Sequence, residues 1–416
     1  MQFVENISKN EYDEFLKNFK DSHFMQTKEF GEIRKSKGFV PRFVGLKENG
    51  KLICTALLLE KKLPLNIKYY YIPRGYTIDY GNHTLLKLFT EELIKYCKKT
   101  KAIFIKIDPA IKRYTIDTSG KKIDGEDNTE LMNYLNSLGY KHLGFNLAFE
   151  HESPRFTFRI NVDKPLDEIY GSFHATTRKV LNKGNQYNLN IYKGTEKDLK
   201  GFFETMVETS KREGITQASL DYYEKFYYIF HKNNMSDIYV AKVNIKNLKK
   251  QINDNIENVR SLEVKNDIQQ KEKQDKIKKL NKILNEINQI DEKELTLSSI
   301  ITVKFKDKVW TVHGGNHSKL MNLNANYAIY YEIIKDANKE GYRIVDLFGT
   351  CGIPDPDPSN PIFGIHSFKK RLGGEYVEFI GEYDLIINKL IYKLYKTYKN
   401  IKILKKNIRK KMEYNK

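Results

Sequence analysis

Cysteine is nearly missing from this chain. Cys54, Cys97 and Cys351 are the only three in 416 residues, and none sits in a C-x-x-C pair. A scattered, odd set argues against a disulfide framework and points to a reducing compartment. Long apolar runs are absent too: no stretch approaches the ~20 continuous apolar residues of a membrane-spanning helix. The first residues, MQFVENISKNEYDEF, carry early acids and no apolar core, so no secretory signal is expected there. Acidic residues are in short supply, with 53 Asp and Glu against 72 Lys and Arg, a formal net charge of +19. That excess favours a polyanionic partner such as RNA, DNA or an anionic membrane surface, with a generally Lys-rich composition as the plain alternative.

What is present is globular. Hydrophobic residues make up 40% and aromatics 12%, enough for two or three cores in a chain of this length. Residues 1–20 read as a strand and an amphipathic helix, and the stretch around Glu29–Lys35 as one or two helical turns. VPRFVGLKENGKLICTALLLEKKL is a hairpin turned at Asn49-Gly50. YYYIPRGYTIDY is a strand running into a loop. HTLLKLFTEELIKYCKKTK has the apolar spacing of a helix, and AIFIKIDP is a buried strand stopped at Asp108-Pro109. The order returns later, where EELIKYCKKTKAIFIKIDP is matched in pattern by YEIIKDANKEGYRIVDLFG. A duplicated α+β unit is expected.

Residues 242–297 contain no Gly, Pro or aromatic residue. Ile245, Leu248, Ile252, Ile256, Val259 and Leu262 fall three and four apart, as do Ile277, Leu280, Leu284 and Ile287. The pattern predicts two paired antiparallel helices, a coiled-coil arm set between two strands of the second unit. The C-terminal stretch predicts a helix with Leu385, Leu390, Leu394 and Tyr398 as its apolar residues and a strongly basic end. That end reads either as a phosphate-binding element for tRNA or lipid headgroups, or as a solvated tail.

Several short motifs then occur in order: Phe24-Met25-Gln26, Arg34, Asp108-Pro109, Thr176-Thr177-Arg178, Arg212-Glu213-Gly214, Gly314-Gly315, Asp346-Leu347-Phe348-Gly349, Phe368-Lys369-Lys370, Gly373-Gly374-Glu375 and Gly381-Glu382-Tyr383-Asp384-Leu385. In this combination the chain resembles the Fem family of non-ribosomal peptidyltransferases (FemA, FemB, FemX, MurM). The likeness covers nearly the whole sequence; the C-terminal motifs are specific, the F-x-Q alone weak. It implies an α+β fold of two GNAT-like domains with an antiparallel coiled-coil helical arm in the second. The expected division is 1–150 for the first domain, which would bind a precursor. The second takes 151–241 and 298–384, the arm 242–297 and a basic C-terminal helix 385–416. The implied reaction moves an amino acid from aminoacyl-tRNA to the side-chain amine of a peptidoglycan precursor's stem peptide, lipid II or its nucleotide-linked form. The implied setting is the cytoplasm, with peripheral contact at the inner membrane face. No cofactor or metal is expected.

Such a reaction is aminolysis of an ester. The acceptor amine, with an ordinary pKa of ~10.4, must lose a proton, and the tetrahedral oxyanion needs a positive donor. Asp108, fixed at a sheet edge, is the first base or amine-binding candidate. Lys369 is the candidate oxyanion donor, and Phe368 could stack the terminal adenine. Both are expected on a loop after strand 343–348. Arg34, with Lys35 as the alternative, and Arg212 are candidates for a pyrophosphate. Phe30 stands where many family members carry Trp. Asp346 and Tyr327 complete the substrate-binding set, although Asp346 before a glycine turn also suits a loop-fastening role. Arg74, Tyr71 and Tyr76 surround a loop that could line a cavity. His313 and His317 flank Gly314-Gly315 and read as turn residues, not metal ligands. Two rivals stay open. An acetyl-CoA-dependent N-acetyltransferase needs a pyrophosphate loop that neither KRLGGE nor GTCGIP matches. A non-enzymatic tRNA-binding protein would leave Asp108 and Phe368-Lys369 without a purpose.

Overall fold

The computed structural model describes residues 1–64, 67–147, 152–183, 187–214, 216–360 and 362–414, with side chains through Lys402. Two compact units divide the chain. The first holds Met1–Phe156, Cys351–Ile353 and Val377–Lys416, and the second Thr157–Thr350 and Pro354–Tyr376.

In the first unit a seven-stranded sheet runs in the order Gln2–Val4, Phe39–Glu48, Lys51–Lys62, Lys68–Ile72, Ala102–Ile107, Tyr383–Ile386, Tyr140–His142. Asn49 and Gly50 both have positive φ, as the tight hairpin turn requires. Strand Lys68–Ile72 pairs in parallel with Ala102–Ile107. Parallel neighbours need a crossover, supplied by helix His83–Thr100. Its Leu86, Phe89 and Leu93 are completely buried on one face of the sheet. Truncating a ring such as Phe89 to Ala would cost about 3–5 kcal/mol.

In the second unit the order is Asn190–Lys193, Ser236–Asn244, Glu294–Phe305, Lys308–Asn316, Ile344–Thr350, Phe156–Asn161, Glu375–Glu378. Here too a parallel pair, Lys308–Asn316 with Ile344–Thr350, is bridged by one helix, Ala325–Lys339. Gly315 lets its strand approach helix Leu199–Glu213: a Cβ there would collide with the Thr205–Met206 backbone. Each unit therefore repeats the meander, crossover helix and parallel strand read from the sequence. The α+β class is as expected.

The arm consists of helices Ile245–Arg260 and Asp267–Ile287, set between antiparallel strands that pair from Asn244 to Glu294 at its base. Its seam buries Leu248, Ile252, Ile256 and Val259 with Leu280, Ile283 and Ile287. The longer helix spans ~30 Å. Leu262 falls past the end of the first helix and is exposed, so it does not join the seam.

Several details differ from the sequence reading. Residues 377–384 do not close the second unit: strand Tyr383–Ile386 is inserted in the first sheet between Ala102–Ile107 and Tyr140–His142. Pairing of Tyr383 with the distant Ile107 leaves no local pattern, which is why the expected boundary falls too late. Phe368 and Lys369 lie on a helix, Phe363–Arg371, and not on a loop. His313 sits inside a strand, its ring packed among Tyr222, Tyr223 and Phe226, and desolvation there pushes its pKa down to about 4. In the C-terminal helix, Lys389–Tyr414, Leu390, Leu394 and Tyr398 are exposed, while Tyr392 and Tyr395 make the contacts with the sheet. The basic side chains beyond Lys402 lie outside the described residues.

Candidate active site

The first unit's candidate group follows from strand alternation. Successive side chains point to opposite faces. Ile105, Ile107, Tyr383 and Leu385 join the apolar core, so Lys106, Glu382 and Asp384 lie on the other face. Cross-strand register sets Lys106 opposite Asp384. The Lys106 amine donates to Glu382 Oε2 at 2.7 Å and lies 3.3 Å from Asp384 Oδ1. Tyr392 OH donates to Asp384 Oδ2 at 2.6 Å. Burial works against the Lys106 ammonium, but Asp384 and Glu382 outweigh it and its pKa is raised. The G-E-x-D-L motif is thus a clamp on a neighbouring strand.

Asp108 follows on the same chain. Its carboxylate accepts from Arg74 N at 2.7 Å and from Tyr71 OH at 3.1 Å. Burial pushes its pKa up to about 6, against the lowering pull of Arg74 and Ser153. Arg74 takes a left-handed backbone, φ 59°, which aims its N–H at Asp108. Gln26 fastens this turn: its amide donates to Pro73 O at 2.6 Å and accepts from Leu57 N at 2.8 Å. The F-x-Q motif is therefore a latch. Arg74, Asp108, Ser153, Arg155, Phe379 and Glu382 help to line a small cavity of about 10 Å³, roughly room for one water.

Arg34 lies over the Phe39 ring, 4.7 Å from its centroid, and reaches Glu152 at 3.5 Å. Lys35 is exposed and pairs with Glu32 at 2.6 Å. Phe30 is buried against Phe24, and Tyr76 belongs to the apolar core, bonded to Tyr140. Both pack into the interior, Phe30 where a substrate contact was expected and Tyr76 where a cavity lining was expected. Glu152 and Ser153, which join Arg34 and Tyr71, carry no local sequence signal.

In the second unit, the carboxylate of Asp346 accepts from Thr157 Oγ1 at 2.6 Å, Arg159 Nε at 2.9 Å and Phe348 N at 2.9 Å. This supports the loop-fastening role. Phe348 has φ 58°, a left-handed conformation that costs a bulky residue about 1–3 kcal/mol. Lys369 braces that bend: its amine donates to Phe348 O at 3.1 Å and Gly349 O at 2.6 Å. The amine is buried, and among the described residues no carboxylate pairs with it. Burial pushes its pKa down to about 7, with Asp346 pulling the other way.

Neighbouring bonds fix the helix that carries it. His366 Nδ1 accepts from Thr350 Oγ1 at 2.9 Å while Nε2 donates to Pro354 O at 2.8 Å. Thr177 Oγ1 donates to Arg371 O at 2.8 Å. Gly374 has φ 90°, and a Cβ there would strike the Arg159 carbonyl. Phe368, half-buried, meets Tyr327 at 4.8 Å and Tyr330 at 5.0 Å, both edge-on. Arg212 stands apart at the end of its helix, bonded to Glu213 and the Asn316 carbonyl. His317 lies in the turn after its strand. Among the described residues no cluster of three His, Cys, Asp or Glu is placed to hold a metal.

Comparison with known proteins makes this two-unit α+β chain with its inserted helical arm an aminoacyltransferase enzyme. The chain belongs to the FemAB family, whose sequence model matches residues 7–400. It is 27% identical over 409 residues to a lipid II:glycine glycyltransferase of Staphylococcus haemolyticus, covering 94% of each chain. The Staphylococcus aureus protein of the same name is 26% identical over 408 residues, covering 93% of this chain and 94% of the relative. A crystal structure of FemX superimposes with a TM-score of 0.75 at 24% identity, covering 95% of this chain and 99% of that one. That likeness shows the fold.

Proposed function

We propose that this protein transfers an amino acid from aminoacyl-tRNA to the side-chain amine of a peptidoglycan precursor's stem peptide. Lys369 carries the reading: a buried amine with no carboxylate partner, held by two carbonyls, its pKa brought down to about 7. The acceptor nitrogen forms a bond to the ester carbonyl carbon, and the Lys369 N–H groups stabilise the oxyanion. The C–O bond to the ribose then breaks, the ribose oxygen taking up a proton as the nitrogen gives one away. Within the first unit, Asp108, with its pKa pushed up to about 6, is the group suited to hold an ammonium and take its proton. Phe368, with Tyr327 and Tyr330, offers an aromatic wall to the terminal adenine. Arg34 meets the precursor's phosphates, with Lys35 and Arg212 as weaker candidates.

The relatives' name makes glycine the first donor to try and lipid II the first acceptor. The work would be done in the cytoplasm, with peripheral contact at the membrane that carries the acceptor. The test is incubation of enzyme with glycyl-tRNA and lipid II. The stem peptide should gain one residue by mass. Failure with every aminoacyl-tRNA and both acceptor forms overturns the reading.

A further inference from the structure

The C-terminal helix has two contrasting faces. Tyr392 packs edge-on against Phe104 at 5.3 Å and bonds Asp384, and Tyr395 lies 5.9 Å from Tyr69. About half a turn away, Leu390, Leu394, Tyr398 and Ile401 are 71%, 63%, 56% and 47% exposed. Their spacing of four, four and three sets them in one stripe along the helix. Lys389, Lys393 and Lys402 flank it, and no Asp or Glu occurs from Lys389 to Met412.

A groove of about 470 Å³ opens beside the first turn. Ile67, Ile103, Ile387 and Ile391 line it, and the exposed Lys98 and Lys101 stand at its rim. An apolar stripe and an apolar groove, each bordered by lysines, thus adjoin on the same unit.

We propose that this face docks on an anionic phospholipid bilayer. The stripe enters the acyl boundary, the groove accepts a chain segment, and the lysines meet phosphate headgroups. RNA would satisfy the lysines but leave four large apolar side chains in water. Pairing of two copies along the stripe would bring like-charged lysine rows together. Among the described residues no helix is long and apolar enough to cross a membrane, so the helix lies on the surface. The proposal deepens the proposed function by assigning its membrane contact to named residues, but vesicle binding stands whether or not transfer occurs.

The test is co-sedimentation of the full chain with phosphatidylcholine vesicles, with and without phosphatidylglycerol. Binding should be at least about tenfold tighter to the anionic vesicles and weaken with salt. The triple variant Leu390→Ser, Leu394→Ser, Ile401→Ser should lose about tenfold or more of that binding with an unchanged melting curve, since all three side chains are exposed. Its transfer to a soluble nucleotide-linked acceptor should match wild type, while transfer to lipid II in vesicles falls. Equal binding to neutral and anionic vesicles, undiminished binding by the triple variant, or a stripe-dependent dimer or tRNA complex in place of vesicle binding overturns the proposal. Absence of transfer with both acceptors overturns the enzymatic reading alone.

Discussion

Two lysines in this protein are equally hidden from water, Lys106 at 6% and Lys369 at 4% exposure, and they are chemically opposite. Lys106 faces two buried carboxylates and holds its proton more firmly than a free lysine. Lys369 faces two carbonyl oxygens and holds its proton loosely. Burial penalises both ammonium groups. What differs is whether a negative charge is buried with them. A lysine buried among dipoles is left with a loosely held proton, and one buried among ions becomes a structural bolt.

Removing each amine should separate the two roles. Lys106→Met leaves Glu382 buried without its cation and Asp384 with only Lys396 at 4.0 Å, and should cost about 3–5 kcal/mol in denaturant unfolding. A loss below about 1 kcal/mol would break the comparison. Lys369→Met should lower the transfer rate about 10²–10³-fold while costing clearly less stability than Lys106→Met. If transfer is undiminished, the oxyanion role belongs elsewhere.

Stability against pH offers a finer contrast, of opposite sign for the two groups. The Lys369 pKa falls from 10.5 to about 7 on folding, so the unfolded chain binds the extra proton between those values. Its contribution to stability therefore rises with pH across that window, by on the order of a few kcal/mol, and Lys369→Met should remove that rise. The Lys106 pKa is raised on folding, so its contribution is fully present below 10.5 and is lost as pH climbs through the folded value. Unfolding midpoints of the two variants at about pH 7 and pH 10 check the signs. Smallest is the Lys35→Ala effect: that exposed pair with Glu32 should change stability by less than about 1 kcal/mol.

Features written in local spacing were legible in the sequence. Asn49-Gly50, the three-and-four seam of the arm from Leu248 to Val259 and the two crossover helices all declare themselves within a few turns of chain. Asp108 and Lys369 could be picked out by their motifs, but not their surroundings. Tyr71, Ser153 and Gln26 reach the Asp108 corner from three separate segments. The tether between His366 and Thr350 depends on a loop path that composition does not specify. Nor can periodicity tell which side of the C-terminal helix meets the sheet, because its tyrosines pack as well as its leucines would.

The strand Tyr383–Ile386 sits in the interior of the first sheet, bonded to Ala102–Ile107 on one side and Tyr140–His142 on the other. The half of the protein made first is therefore finished last. At roughly 5–20 residues per second, the ribosome delivers this strand on the order of half a minute after its partner Ala102–Ile107 has emerged. Until then that partner offers an open edge of the kind that invites mispairing. A message cut short near its end would yield not a protein lacking a tail but one whose opening domain never closes.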